Sequence, residues 1–142
     1  MWSGSYSKKV IGLSAEEVWN VWTDVNQWHT WQDDIDLAEI SGAFAVGNHF
    51  LFKPKGGPKF TIAITEVTVN RSFTDVTPFL LAKMYDSHEL VMHPDGLEIK
   101  STISVDGPFA FLWRKLVAEN VVKGLEQQTD RLVQRVRSVY GK

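Results

Sequence analysis

The 142-residue sequence contains no cysteine. That absence excludes disulfide bonds, thiolate zinc ligands, iron–sulfur clusters and a cysteine nucleophile, and it fits a reducing compartment. Proline is scarce, with five residues, and nowhere joins glycine and serine in a linker. With no internal repeat or low-complexity tract either, residues 1–142 read as one domain. No segment approaches the ~20 apolar residues of a membrane-spanning helix, and "MWSGSYSKKV" lacks the apolar run of a secretory signal. The expected location is therefore cytoplasmic, with no membrane span. Excess charge of one sign is missing too. The formal net charge is −2, with acids and bases interspersed, so the broad positive field that drives nucleic-acid binding is not there. The one basic concentration, "RLVQRVRSVYGK", reads as a solvated helix face whose cations complement the negative end of a helix dipole.

The motifs of several common chemistries are also lacking. "GAFAVGN" has neither the Lys nor the Ser/Thr that follow in a phosphate loop, "PKGGPK" reads as a hairpin connection, and no G-x-S-x-G nucleophile elbow occurs. "HELVMH" comes near the helical zinc motif H-E-x-x-H, but its second histidine is one position late. On a strand, that odd spacing sends His88 and His93 to opposite faces. "QDDID" groups Asp33, Asp34 and Asp36 without the Gly and distal Glu of a calcium loop and reads as a solvated turn. The spacing of residues therefore implies no metal and no other cofactor, and it carries no signal for an oligomeric state.

What the chain does have is aromatic surface to bury, at 12% of residues, and enough length to bury roughly two-thirds of its unfolded area. Four of its six tryptophans fall in "WNVWTDVNQWHTW", Trp19 to Trp31. "YSKKVIGL" is β-leaning and is followed by "SAEE", in which Ser14 can cap a helix from Ala15 while Glu17 completes a capping box. Ala15, Val18, Trp19 and Trp22 then form one helical stripe, and Asp24 with Gln27 restarts the pattern as a second short helix. From Ile35 to Val105 the period becomes two, broken by turn chemistry at "SGAFAVGN", "KPKGGPK", "VNRS", "TPF" and "HPDG", which is an antiparallel meander. Phe60, Ile62 and Ile64 share one strand face, as do Leu97, Ile99, Ile103 and Val105. After Gly107 and Pro108 the period returns to 3.6 for about thirty residues, with Ala118, Val122, Leu125, Leu132, Val136 and Tyr140 as the apolar stripe, interrupted by Gly124 and Thr129. Glu119 and Lys123 stand at exposed pair spacing. The expected fold is α+β: about seven antiparallel strands curled around a long C-terminal helix, with two short helices between strands one and two.

This order, with "SAEEVWNVWTDVNQWHTW", "ISGAFAVGNHFLFKPKGGPKFTIAITEV", "SHEL" and "SVDGPFAFLW", resembles the polyketide cyclase/dehydrase branch of the START-like (SRPBCC, Bet v 1-like) superfamily. The resemblance runs from Tyr6 to Tyr140. Its most specific pieces are the Trp-rich helix pair, the G-x-F-x-x-G stretch from Gly42 to Gly47, and the Gly-Pro that opens the last helix. It implies a helix-grip fold with a deep apolar cavity between sheet and C-terminal helix. Members bind lipids, hormones, polyketides and other hydrophobic molecules; some are cyclases or aromatases, and others are carriers, receptors or regulators of a partner protein. Related sequences often place a histidine where this chain has Ser101.

Candidate site residues follow from alternation. On "MYDSHELVMH", Met84, Asp86, His88, Leu90 and Met92 share the face with the more apolar company, which puts Asp86 and His88 two apart on the expected interior. A carboxylate there could orient an imidazole, the arrangement of a general base. Trp22 and Trp31 are the tryptophans expected at a cavity mouth. Phe52, Phe60, Ile62, Met84, Leu90 and Ile99 are nominated as lining, with Val122 and Leu125 from the last helix and Ser101 as a polar contact. His49 alternates with Phe50 and Phe52 and is expected to face water. Three functions fit: binding of a small hydrophobic ligand such as a lipid or polyketide, a cyclase or aromatase using Asp86 and His88, or a regulator docking a partner protein, for which Trp2 and Trp113 are the residues to inspect.

Overall fold

The computed structural model describes residues 1–142. Strand β1 (Trp2–Val10) leads to helix α1 (Ala15–Trp22), a 3₁₀ helix (Val25–Thr30), and strands β2 (Ile35–Ile40), β3 (His49–Pro54), β4 (Phe60–Thr68), β5 (Ser72–Phe79), β6 (Ala82–His93) and β7 (Gly96–Asp106). The chain then forms α2 (Ala110–Trp113), one π-helical turn (Arg114–Ala118) and the long α3 (Glu119–Tyr140). All seven strands make one antiparallel sheet in the order β1-β7-β6-β5-β4-β3-β2. Register shifts at Ile35/Leu37 and Ile64/Glu66 interrupt the ladders of β2 and β4, and such irregularities add local twist and bend, which helps a sheet to curl.

The capping box forms as its spacing requires. The Glu17 amide donates to Ser14 Oγ at 3.1 Å and the Ser14 amide donates to Glu17 Oε1 at 2.9 Å. Ser14→Ala is therefore expected to lower stability by about 1 kcal/mol, read from the denaturant midpoint at unchanged slope. The second short helix differs from expectation. It is a 3₁₀ turn, and the Asp24 side chain makes no capping bond. Its position is held instead by Trp28, whose indole N–H donates to the Trp22 carbonyl at 3.0 Å. Gly42 and Gly47 take φ of +86° and +91°, a region open to glycine without steric cost, and between them Phe44 turns back to meet Phe73 edge-on at 5.0 Å.

The C-terminal helical segment is not uniform. The π turn at Arg114–Ala118 inserts an extra residue into the helical repeat, so the apolar stripe shifts its angle between α2 and α3. Glu119 consequently lies 3.6 Å from Arg114, its ion partner, rather than pairing with Lys123. The basic C-terminal stretch is also more than a solvated face: Arg131 pairs with Asp33, and Arg137 donates to the Ile11 carbonyl, tying α3 to the loop after the 3₁₀ helix and the loop before α1. Tyr140 ends the stripe partly exposed, its hydroxyl accepting from Asn20.

Buried apolar residues fall into three clusters rather than one. The first joins α1, Phe73, Leu90, Leu97, Ile99 and α3; the second joins Trp28, Ile35, Phe50, Ile62 and Ile64; the third joins Met84, Ile103, Val105, Ala118 and Leu125. The space between them is a cavity whose wall draws residues from all three.

Candidate functional site

A cavity of about 400 Å³ lies between the concave sheet face and the helical segment formed by the π turn and the first turns of α3. Its apolar wall includes Trp22, Trp28, Phe50, Phe60, Phe73 and Met84. Leu116, Val117, Asn120, Val121, Gly124 and Gln128 face it from the helix side, and several of these are solvent-exposed, so this side is its mouth.

One wall is polar, and strand register explains how. Asp75 on β5 stands directly across from Asp86 on β6, Phe73 across from His88, and His88 across from Ser101 on β7. Because cross-strand partners share a sheet face, these groups meet on the concave side. His88 is buried at 4% exposure, with Nδ1 2.9 Å from Ser101 Oγ and Nε2 2.9 Å from Asp86 Oδ1. The second contact is close without being aligned: Asp86 Oδ1 is shielded from solvent and has no hydrogen-bond donor. The imidazole is clamped between Trp22, with ring centroids 4.7 Å apart, and Phe73 at 4.6 Å. Asp75 is 4% exposed and makes no side-chain hydrogen bond. Burial, and then the charge of Asp86 beside it, push its carboxyl well above the usual carboxylate range. A further unpartnered group is the buried indole N–H of Trp31, on a residue that also borders the cavity.

The residues nominated from sequence divide between the cavity and its supports. Trp22, Trp31, Phe52, Phe60, Ile62, Met84, Asp86 and His88 border the cavity. Leu90, Ile99, Val122 and Leu125 do not. Leu90 and Ile99 sit in the cluster between α1, the sheet and the end of α3, and Leu125 packs on Met84, Ile103 and Val105 with Val122 against them. The physical reason is that the cavity occupies only one end of the concave face, while the other end is filled by α1 and α3. Ser101 stands behind His88, not on the wall. His49 is exposed. Trp2 and Trp113 are engaged within the fold: Arg114 lies over the Trp2 ring at 5.1 Å, while Trp113 stacks on Phe79 at 4.5 Å and donates to the Leu80 carbonyl.

Sequence reasoning passed over Asp75, Phe73, Phe79 and Trp28. A signal for Asp75 existed in "SFTDVTPF", where Phe73, Asp75 and Thr77 alternate on one face. It was obscured because Val76 is also buried.

Comparisons with known proteins agree with this architecture. A START superfamily protein from Mycobacterium smegmatis superposes with a TM-score of 0.71 at 18% identity, over 96% of this chain and 98% of that one. A protein from Thermus thermophilus gives 0.73 at 14% identity, over 96% and 98%. Norcoclaurine synthase from Thalictrum flavum, in complex with dopamine and hydroxybenzaldehyde, gives 0.70 at 16% identity, over 96% and 88%. At such identities the likeness is one of fold: a seven-stranded antiparallel sheet curled against a long C-terminal helix. No curated protein matches the sequence significantly. No helix is long and apolar enough to cross a membrane. The family model described as polyketide cyclase/dehydrase and lipid transport matches residues 2–137, and with nearly the whole length covered the chain belongs to that family.

Proposed function

We propose that the protein binds one small, mostly apolar molecule with a polar end in the cavity between the sheet and the C-terminal helix. Family and fold support a ligand-binding function in general. The observation that carries the finer reading is the cavity itself: about 400 Å³, aromatic on most sides, with Asp75, Asp86 and His88 converging on one wall. Binding sites for small molecules fall at roughly 300–1,000 Å³ and combine apolar walls with a few placed polar groups. Here Asp86 Oδ1 and the Trp31 indole N–H are an acceptor and a donor without partners, and a ligand supplying both complements would relieve two desolvation costs of about 1–3 kcal/mol each.

Native and denaturing mass spectra of the purified protein test this. One released small molecule per chain is the expected result. The same preparation, stripped of ligand, is expected to bind the fluorescent dye anilinonaphthalene sulfonate at one saturable site with quenching of tryptophan emission. No adduct together with no saturable dye binding would overturn the reading.

A second reading rests on the 2.9 Å approach of His88 Nε2 to Asp86 Oδ1 at the cavity wall: a cyclase or aromatase in which this pair moves a proton during ring closure or dehydration. General acid–base help of this kind is worth ~10²–10⁴-fold. Turnover of a substrate unchanged by His88→Ala would exclude it.

A further inference from the structure

We propose that Asp75, Asp86 and His88 form a three-donor site for one divalent transition-metal cation, with its remaining coordination position open to the cavity. The proposal stands on the cluster and does not require the ligand-binding reading.

One ligand atom from each of the three residues lies within 4.8 Å of the other two. Zinc bonds of about 2.1 Å to nitrogen and oxygen place tetrahedral donors about 3.4 Å apart. Side-chain rotation would have to open the 2.9 Å contact between His88 Nε2 and Asp86 Oδ1 by about 0.5 Å and draw the widest edge inward by up to about 1.4 Å. The backbone already supplies the frame, because Asp75 and Asp86 are cross-strand partners and Asp86 and His88 are two apart on one strand face.

Two observations independent of that spacing point to a bound cation. Asp75 is more than nine-tenths buried, faces the cavity and has no hydrogen-bond partner. Nor does any lysine or arginine side chain border the cavity to pair with Asp75 or Asp86. His88, for its part, is oriented as a ligand would be. Ser101 Oγ, at 2.9 Å from Nδ1, can accept the Nδ1–H and thereby leave Nε2 bare toward Asp86. Metal-bound histidines are held in this way by a partner on the other ring nitrogen, and the Trp22 and Phe73 rings fix the plane of the ring. One imidazole and two carboxylates suit zinc, iron or manganese in the divalent state better than calcium. Three protein donors with a fourth place free is the pattern of sites that act on a bound molecule rather than brace a fold.

The spacing of histidines along the chain offers no hint of this, since the donors come from two strands and only one is a histidine. The near-motif "HELVMH" misleads, because His93 pairs with Glu98 at 2.8 Å outside the cavity.

The test uses the full chain freed of metal by chelation. Zinc chloride is titrated calorimetrically, and cobalt(II) chloride is followed by the visible absorption of a four- or five-coordinate ion. One cation per chain is expected. Asp75→Asn and His88→Gln should each weaken binding at least 100-fold and abolish the cobalt band, and Ser101→Ala should weaken it about tenfold. His93→Ala should change nothing. Folding of each variant is checked by its melting temperature. Asp75→Asn is expected to melt higher than the parent when both are metal-free, since it removes a buried unpartnered carboxyl, and to lose the zinc-induced rise that the parent shows. No saturable binding of either ion overturns the proposal. So does binding that survives both Asp75→Asn and His88→Gln, or binding lost on His93→Ala.

Discussion

Gly124→Phe is expected to abolish ligand binding, with affinity falling at least 100-fold, while the protein becomes more stable. Gly124 lies in α3 on the cavity wall, and a Cβ built there meets no atom within 4 Å. In a helix a long side chain lies back over the preceding turn. At this position that turn carries Asn120 and Val121, which also face the cavity. A phenyl ring would therefore lie across the mouth and occupy space the ligand requires. Glycine inside a helix costs about 1 kcal/mol relative to alanine, and phenylalanine recovers part of that. Dye titration paired with a thermal melt gives both readings from one sample. A variant that binds with parental affinity would show that the ligand does not pass or rest between α3 and the sheet. The opposite signs of the two effects matter, because loss of binding cannot then be ascribed to unfolding.

Phe73→Ala should have the largest effect on stability, about 3–5 kcal/mol. Phe73 is 1% exposed and meets Trp19, Trp22, Phe44 and His88 at centroid distances of 6.0, 5.4, 5.0 and 4.6 Å. Four aromatic neighbours from α1, the β2–β3 loop and β6 converge on this one ring, so its removal leaves a void that none of them can fill without abandoning another contact. For a chain of this length the melting temperature should fall by roughly 10–15 °C. Phe60→Ala is the comparison: Phe60 borders the same cavity but is only half-buried, so its truncation should lower stability less. Equal losses from the two substitutions would mean that Phe73 is not the point where α1 is fastened to the sheet.

Most of the elements were legible because they carry an unmixed local signal. Ser14 and Glu17 mark a helix start through hydrogen bonds that span three residues, and Leu97, Ile99, Ile103 and Val105 mark a strand face through a period of two. Both kinds of signal are local in the chain. The placement of Asp86 and His88 on one face was legible for the same reason. Asp75 was not, since its meaning lies in being opposite Asp86, and register across a hairpin is set by turn geometry rather than by either strand alone. The π turn at Arg114–Ala118 was hidden because a one-residue insertion leaves the composition of a helix unchanged and only rotates its stripe. The division between cavity and filled core was equally hidden. Leu90 and Met84 are alike in type and both buried, and only the path of α1 and α3 over the sheet decides which of them borders empty space.

The strand order has a consequence for how the chain reaches this state. β1 and β2 are neighbours in sequence yet form opposite edges of the sheet, and β1 pairs with β7 in a register that joins Trp2 to Val105 and Val10 to Leu97. The first strand of this sheet is thus completed by its last. At a synthesis rate of about 5–20 residues per second, β1 waits roughly five to twenty seconds on the ribosome before its partner exists, its apolar positions unmatched. Contacts this distant in sequence slow folding through the entropy of closing the intervening chain. The alternation in "WSGSYSKK", which exposes Ser3, Ser5, Ser7 and Lys9 on one face and sets Lys8 beside Trp2 and Tyr6 on the other, keeps that waiting edge soluble.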